Sequence, residues 1–405
     1  NISNTFCDKA AVRHAASQEV SFLQSMGCSG SAQGKNKVEV PAERRRLSVG
    51  HVEGEDAVED ADVKEEDRGL LSALDNETVL NLLETKKVKG RRTSIGTSMD
   101  AGKESFANKT VQQLGDAIEP ATAHLGYTCR KGLKPESPNQ DSWFCLKVEQ
   151  YFSLYAVFDG HGSKGHKVSQ FVKDNLPKLI LMDERFGKQS SDWPDMLKES
   201  FQKTQELIQA LDKMGKLSAS LSGTTATLVV HDHENKEITV AHVADSSSVL
   251  GRRTGPEDFE ALQLTRDHKP NLKDEKARIE KAGGVVVFDG YANHRIYAKS
   301  ARYPGLNMSR CLGDLLGHQT CGISAIPEVA QRKLEPEDEI LLLCSDGVWE
   351  FVSPLEAIKL CSTFSPEQAM AAADALAKES WDRWIEEEGG TVVDDITVVA
   401  VYLAG

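Results

Sequence analysis

No stretch of this 405-residue chain approaches the roughly 18 to 20 consecutive apolar residues that a bilayer-crossing helix needs, so no such helix is expected. A basic surplus is missing as well. Its 62 acidic residues against 48 basic ones leave a formal charge of −14, whereas a general nucleic-acid binder needs a basic face to displace counterions from phosphates. The eight cysteines form no CxxC pair and show no even spacing, which argues against a zinc cage or a disulfide framework and for a reducing, intracellular compartment. No internal repeat is visible. What the chain does have is apolar mass, 40% of its residues, enough for one large domain plus a tail or for two modest domains.

Composition changes sharply along the chain. From Gly27 to about Ser105 aromatics are few, and the run from Glu53 to Asp67 carries nine carboxylates against one lysine. Such a segment cannot bury enough surface to offset its ordering entropy. Residues 26–111 are therefore expected to be a mostly disordered, acidic tail, with one amphipathic helix over Leu70–Leu83. The folded domain is expected over residues 112–405. Its strand candidates are Phe152–Phe158, Ala226–His231, Glu237–Val243, Ser248–Arg252, Glu339–Cys344 and Ile396–Leu403. Helices are expected over His166–Ile180, Asp192–Met214, Asn271–Ala282 and Pro366–Glu388. Neighbouring strands mixed with helix pairs favour an α+β layering over regular βαβ alternation.

The candidate chemistry lies where aspartates meet apolar strands. Phe152–Phe158 ends in Asp159, Gly160, His161 and Gly162, and Glu339–Cys344 runs through Ser345 into Asp346 and Gly347. Val392 and Val393 precede Asp394 and Asp395, and Asp141 sits ahead of Ser142, Trp143 and Phe144. A single Asp-Gly is an ordinary turn. Four carboxylates beside apolar strands, however, would repel one another unless a cation gathers them. Hard oxygen donors of this kind suit Mg²⁺ or Mn²⁺ better than zinc.

Taken with Asn139-Gln140-Asp141, Ser222-Gly223-Thr224-Thr225-Ala226, Ala244-Asp245-Ser246, Asp267-His268-Lys269-Pro270, Ser309-Arg310-Cys311-Leu312-Gly313-Asp314 and Asp394-Asp395-Ile396-Thr397, these residues make the stretch from about Leu125 to Leu403 resemble the PP2C (PPM) family. That family comprises metal-dependent Ser/Thr protein phosphatases, and the form here is plant- or protist-like. The resemblance implies an α-β-β-α sandwich of two antiparallel β-sheets flanked by helices, with a metal cleft at one end. It implies that Asp159 bridges two Mg²⁺ or Mn²⁺ ions, that Asp346 and Asp394 complete one, and that the Gly160 carbonyl binds the other with Asp141 in support. Asp395 stays open as the alternative to Asp394, because adjacent carboxylates on a strand point to opposite faces. A weaker third ion would use Asp245 and Glu350. Water bridging the two ions would attack phosphoserine or phosphothreonine in line, with His161 as general acid for the departing alkoxide.

Three departures from the family pattern stand out. Gln140 occupies a position where many members carry glutamate, and Ala244-Asp245-Ser246-Ser247-Ser248 replaces Gly-Asp-Ser-Arg-Ala. The phosphate-holding arginine does not align cleanly, which leaves Arg130, Lys131 or Lys134 for that role. Thr224, Thr225, the turn at Asp267–Pro270 and Arg310 read as structural. The expected partners are phosphorylated proteins, acted on by a monomer. Two other readings are a pseudophosphatase that only binds, and a phosphatase of small phosphate esters.

Met26 is the first methionine, and Gly27-Cys28-Ser29-Gly30-Ser31 follows it. Read from there, the chain fits the N-myristoylation pattern at Gly27, with Cys28 placed for palmitoylation. Residues 1–25 would then be an upstream extension, and the protein would be cytoplasmic or anchored to the cytoplasmic face of a membrane. Arg44-Arg45-Arg46-Leu47-Ser48 and Arg91-Arg92-Thr93-Ser94 resemble kinase sites in the tail.

Overall fold

The structure is a computed structural model that describes residues 63–86, 90–99, 104–134, 138–188, 190–290 and 293–403. All seven residues of Phe152–Phe158 (FSLYAVF) are buried, and a strand can bury both alternating faces only between two layers. Phe152, Leu154, Ala156 and Phe158 pack with Val168, Val172 and Leu176 of the Gly165–Met182 helix. Tyr155 and Val157 point the other way and meet Leu341, Leu343, Val399 and Val401 of a second sheet. That second sheet repeats the rule, with Ile340, Leu342 and Cys344 facing Ala372, Ala373 and Leu376 of the Ala369–Glu387 helix. The result is the expected helix-sheet-sheet-helix sandwich.

The larger sheet has seven antiparallel strands in the order Glu328–Lys333, Glu237–Val243, Ala226–Asp232, Phe152–Phe158, Ser142–Val148, Arg92–Thr97 and Val111–Gly115. The smaller sheet runs Phe259–Gln263, Ser247–Arg253, Asp338–Cys344, Ile396–Tyr402 and Leu125–Arg130. Trp193–Lys213 joins Gly165–Met182 on the outside of the first sheet, and Pro354–Cys361 joins Ala369–Glu387 on the outside of the second. Two small sheets complete the fold. One, Gly284–Phe288 with His294–Ala298 and Pro304–Leu306, stands beside the sandwich, and the other is a three-stranded patch that builds the site. No helix among the described residues is long and apolar enough to cross a membrane.

The folded unit begins upstream of residue 112, where composition had placed its start. Arg92–Thr97 pairs along its length with Ser142–Val148, although RTSIGT offers only one large apolar side chain, Ile95. The helix expected over Leu70–Leu83 is instead two, Glu65–Asn76 and Val79–Thr85. Thr78 separates them in extended conformation, its Oγ1 accepting from the Asn81 N–H at 3.2 Å. Leu71 and Leu74 pack on Leu179, Leu207 and Ala210, and Lys203 pairs with Asp67 at 2.8 Å. Thr93 and Ser94 are buried in their strand, so the Arg91–Ser94 pattern is closed to a kinase while the sheet is intact. The Arg44–Ser48 pattern, Gly27 and Cys28 lie outside the described residues.

Candidate active site

Asp159 ends its strand with its backbone fixed by three hydrogen bonds. Its N–H donates to Thr225 Oγ1 at 2.9 Å, and its carbonyl accepts from the Thr225 N–H at 2.8 Å and from Thr224 Oγ1 at 3.0 Å. The two threonines, structural as expected, thereby aim the Asp159 carboxylate. Gly160–Gly162 then pairs with Ser222–Thr224, which pairs in turn with Leu312–Gly313. A Cβ on Gly160 would lie 2.6 Å from the Gly165 backbone and 2.7 Å from the Gln140 carbonyl, so only glycine fits. Gln140 Nε2 donates to the Gly162 carbonyl at 2.7 Å, a bond that a glutamate at this position could not donate.

Asp141, Asp159, Asp346 and Asp394 come together across the end of the sandwich. Asp141 is fully buried while the other three are partly exposed, so the group forms the floor of a cleft. The carboxyls of Asp159 and Asp346 are in hydrogen-bond contact. Burial, and then the charges of Asp141, Asp346 and Asp394, hold the Asp159 pKa well above the ordinary carboxylate range. Burial together with Asp394 and Asp245 lifts Asp346 to about 8. Burial and Asp395 lift Asp141 to about 7, although Thr397 Oγ1 donates to its Oδ2 at 2.7 Å. Asp141 Oδ1 and Asp346 Oδ1 are buried and lack a hydrogen-bond partner in the structure. Converging, mutually repelling oxygens with unused lone pairs fit a divalent cation.

Asp394 and Asp395 differ in their partners. Asp395 accepts the Gly132 N–H on one oxygen and the Gln140 N–H on the other, both at 2.7 Å, so it ties two loops together. Asp394 faces the cluster and bonds Lys134 Nζ. Asp245 stands near enough to Asp346 to affect its protonation, but its carboxylate already has Lys269 Nζ at 2.5 Å as counter-ion. Glu350 is exposed, and no contact between it and Asp245 is seen among the described residues. Both nonetheless neighbour Asp267, whose pKa is raised by burial, by the charge of Asp245 and, last, by that of Glu350. Ser247 donates to Asp267 Oδ1 at 2.9 Å.

Arg130, a phosphate candidate on sequence, is committed elsewhere. It bonds Asp374 at 2.7 Å, reaches Thr128 and lies over the Phe106 ring. Lys131 is buried, with Nζ donating to the carbonyls of Gly132 and Lys134. Of these three, Lys134 alone brings its charge to the acidic floor, where Asp394, Asp159 and Asp395 together overcome its burial and raise its pKa. Arg130→Ala should accordingly leave the KM for a phosphopeptide within about twofold and cost no more than about 1 kcal/mol of stability. Lys134→Met should raise that KM about tenfold, the scale of one charge-assisted contact. Initial-rate kinetics and urea unfolding check both.

His161 has a partner that sequence reasoning did not assign. Its Nε2 meets Asp314 Oδ2 at 2.5 Å. Burial opposes protonation of the ring, but the charge and hydrogen bond of Asp314, with Asp245 and Asp346 further off, outweigh it and raise the His161 pKa. Asp314 is almost wholly buried, takes a left-handed φ of 43° and also accepts from Cys311 Sγ at 3.2 Å; such backbone strain concentrates at functional sites. The signal was present in two motifs. Asp314 closes Ser309–Asp314, and a Cβ on Gly223 would sit 2.2 Å from Asp314 Oδ2 and 2.8 Å from His161 Nε2, which explains Ser222-Gly223-Thr224. Arg310 pairs with Glu275 at 2.6 Å, in keeping with its structural reading.

Comparison with known proteins agrees with this geometry. Residues 135–388 match the family Protein phosphatase 2C. The chain is 33% identical over 287 residues to "Probable protein phosphatase 2C 73" of Arabidopsis thaliana, covering 65% of this chain and 75% of that protein. It is 34% identical over 288 residues to "Probable protein phosphatase 2C 34" of the same plant, covering 67% and 78%. Among solved structures, a serine-threonine phosphatase 2C from Toxoplasma gondii superposes with a TM-score of 0.58 at 19% identity, covering 69% of this chain and 94% of that one.

Proposed function

This chain belongs to the protein phosphatase 2C family and is a protein Ser/Thr phosphatase, and from that premise we propose how its own residues do the work. The family uses Mg²⁺ or Mn²⁺, and we assign a pair of such ions to Asp159, Asp346 and Asp394, the Gly160 carbonyl and, in support, Asp141. When bound, the cations supply hydroxide near neutral pH and neutralise phosphoryl oxygens. The observation that carries the assignment is the convergence of four carboxylates, two of them with buried, unpartnered oxygens. Thr224 and Thr225 hold Asp159 in place, and Lys134 offers an ammonium to the phosphate as a point charge. His161 keeps a proton through its bond to Asp314, and its Nδ1, without a partner in the structure, is the nitrogen from which that proton passes to the leaving serine or threonine oxygen.

One experiment tests the metal assignment and the substrate class together. In chelator, Asp141, Asp159 and Asp346 bind protons on folding, because their folded pKa values lie above the ordinary carboxylate value of about 4. Their contribution to stability therefore falls as pH rises from about 4 through the folded values of about 7 and about 8. The melting temperature in Mn²⁺ minus that in chelator should widen between about pH 5 and pH 8. A flat difference would remove the cluster as the metal site. In the same buffers, phosphopeptides should turn over only with metal and faster than small phosphate esters. Equal rates in chelator would defeat the reading.

We also propose attachment to the cytoplasmic face of a membrane through myristoylation of Gly27 and palmitoylation of Cys28, with translation starting at Met26. Two chains give stable anchoring where one gives only marginal binding. Intact mass of the protein isolated from its own cells should show both acyl additions on a chain that begins at Gly27. An unmodified N-terminus would dismiss the proposal.

A further inference from the structure

At the end of the sandwich opposite the acidic floor lies a cavity of about 530 Å³, within the size range of small-molecule sites. It sits on the far ends of strands whose near ends carry the catalytic carboxylates. Tyr155 belongs to the strand that ends at Asp159, and Val401 to the strand that follows Asp394. Tyr155 and Val401 supply an apolar wall. His231 and His233 stand edge to face beside it, with ring centroids 4.6 Å apart.

Two polar groups in the lining lack the partners their chemistry calls for. Lys147 is half-buried, yet the structure gives its ammonium only the Ala123 carbonyl, at 3.1 Å, and no ion pair. Burial lowers its pKa, against Cys145 and then Glu149, which raise it. The His231 ring has no hydrogen bond among the described residues, and its Nδ1 is buried, whereas the ring of the neighbouring His233 bonds Ser153 Oγ at 3.1 Å. Burial holds both rings near a pKa of about 4, so at neutral pH each is an uncharged ring with one N–H to give. Two carboxylates line the cavity: Asp338 is already neutralised by Arg252 at 2.8 Å, and Glu335 is exposed at the rim, where Lys236 also lines the cavity. An under-partnered cation, a free imidazole and an apolar wall ask for one kind of ligand.

We propose that this cavity binds a small amphipathic carboxylate, its anionic group taken by Lys147 and His231 and its apolar body lying against Tyr155 and Val401. The binding does not depend on the metal assignment and involves none of the catalytic residues. Benzoate, 2-naphthoate, indole-3-carboxylate and decanoate are the probes, titrated by calorimetry into the full chain, each beside its neutral amide. At least one acid should bind, about tenfold tighter than its amide, as for a charge-assisted bond. Lys147→Met should erase that acid-over-amide preference while phosphopeptide turnover stays at the parental rate. His231→Phe, which keeps the ring and removes its nitrogens, should weaken the acid about fivefold, and Lys147→Arg should keep the preference. These last two variants carry the test if Lys147→Met fails to fold. Absence of binding by all four acids, or an acid preference that survives in Lys147→Met or is untouched in His231→Phe, overturns the proposal.

Discussion

Asp159→Asn is expected to cut phosphopeptide turnover by about a thousandfold or more and, in chelator, to raise the melting temperature. The two effects have one cause. Asp159 lies in contact with Asp346 and within the field of Asp141 and Asp394, and its carboxyl is held far from its ordinary ionisation by burial and by those charges. In metal-free protein near neutral pH that arrangement is a destabilising one, and a neutral amide of the same shape relieves it. With metal present the same carboxylate is needed to gather charge that stabilises the transition state, and interactions of this kind are worth about a hundredfold to a thousandfold each. With the ion pair proposed above, losing the residue assigned to both ions belongs at or beyond the top of that range. Differential scanning fluorimetry in chelator, paired with turnover in Mn²⁺, reads both signs. A variant that loses activity and stability together would mean that Asp159 serves the fold and not the cations.

His161→Gln should produce a loss that depends on what leaves. A serine or threonine alkoxide is a poor leaving group and must gain a proton as the P–O bond breaks, a service worth about a hundredfold to ten-thousandfold. A nitrophenolate leaves without help. The variant should therefore lose about a hundredfold or more on a phosphothreonine peptide and only a few-fold on an aryl phosphate. Asp314→Asn should show the same selectivity in weaker form, because Asp314 raises the His161 pKa through the 2.5 Å contact. Its signature would be a basic limb of the pH–rate profile moved to lower pH, which simple loosening of the fold would not produce. Equal losses on both substrates would mean that His161 only supports the loop.

What could be read from the sequence follows from where the physical signal is local. Phe152–Phe158 and Glu237–Val243 were legible to the residue, because strands covered on both sides are mostly apolar and rich in β-branched and aromatic side chains. Arg92–Thr97 and Glu328–Lys333 were not, since RTSIGT and EVAQRK carry too little apolar character to mark a strand and are held by their neighbours' backbones. The four clustered acids were legible because each stands at the end of an apolar run. Arg130 and Asp314 show the limit. Only the tertiary structure tells that the first is spent on Asp374 and that the second meets His161 across 153 residues.

The carboxylates of the cleft come from both halves of the sandwich. Asp141 and Asp159 adjoin the seven-stranded sheet, and Asp346 and Asp394 adjoin the five-stranded one. Neither half alone brings the four acids together, so the cluster cannot form until the chain has been made through Asp394. A product that stops short of Asp394 would hold only part of the cluster, and a cation bound at the four acids would fasten the two halves like a buckle.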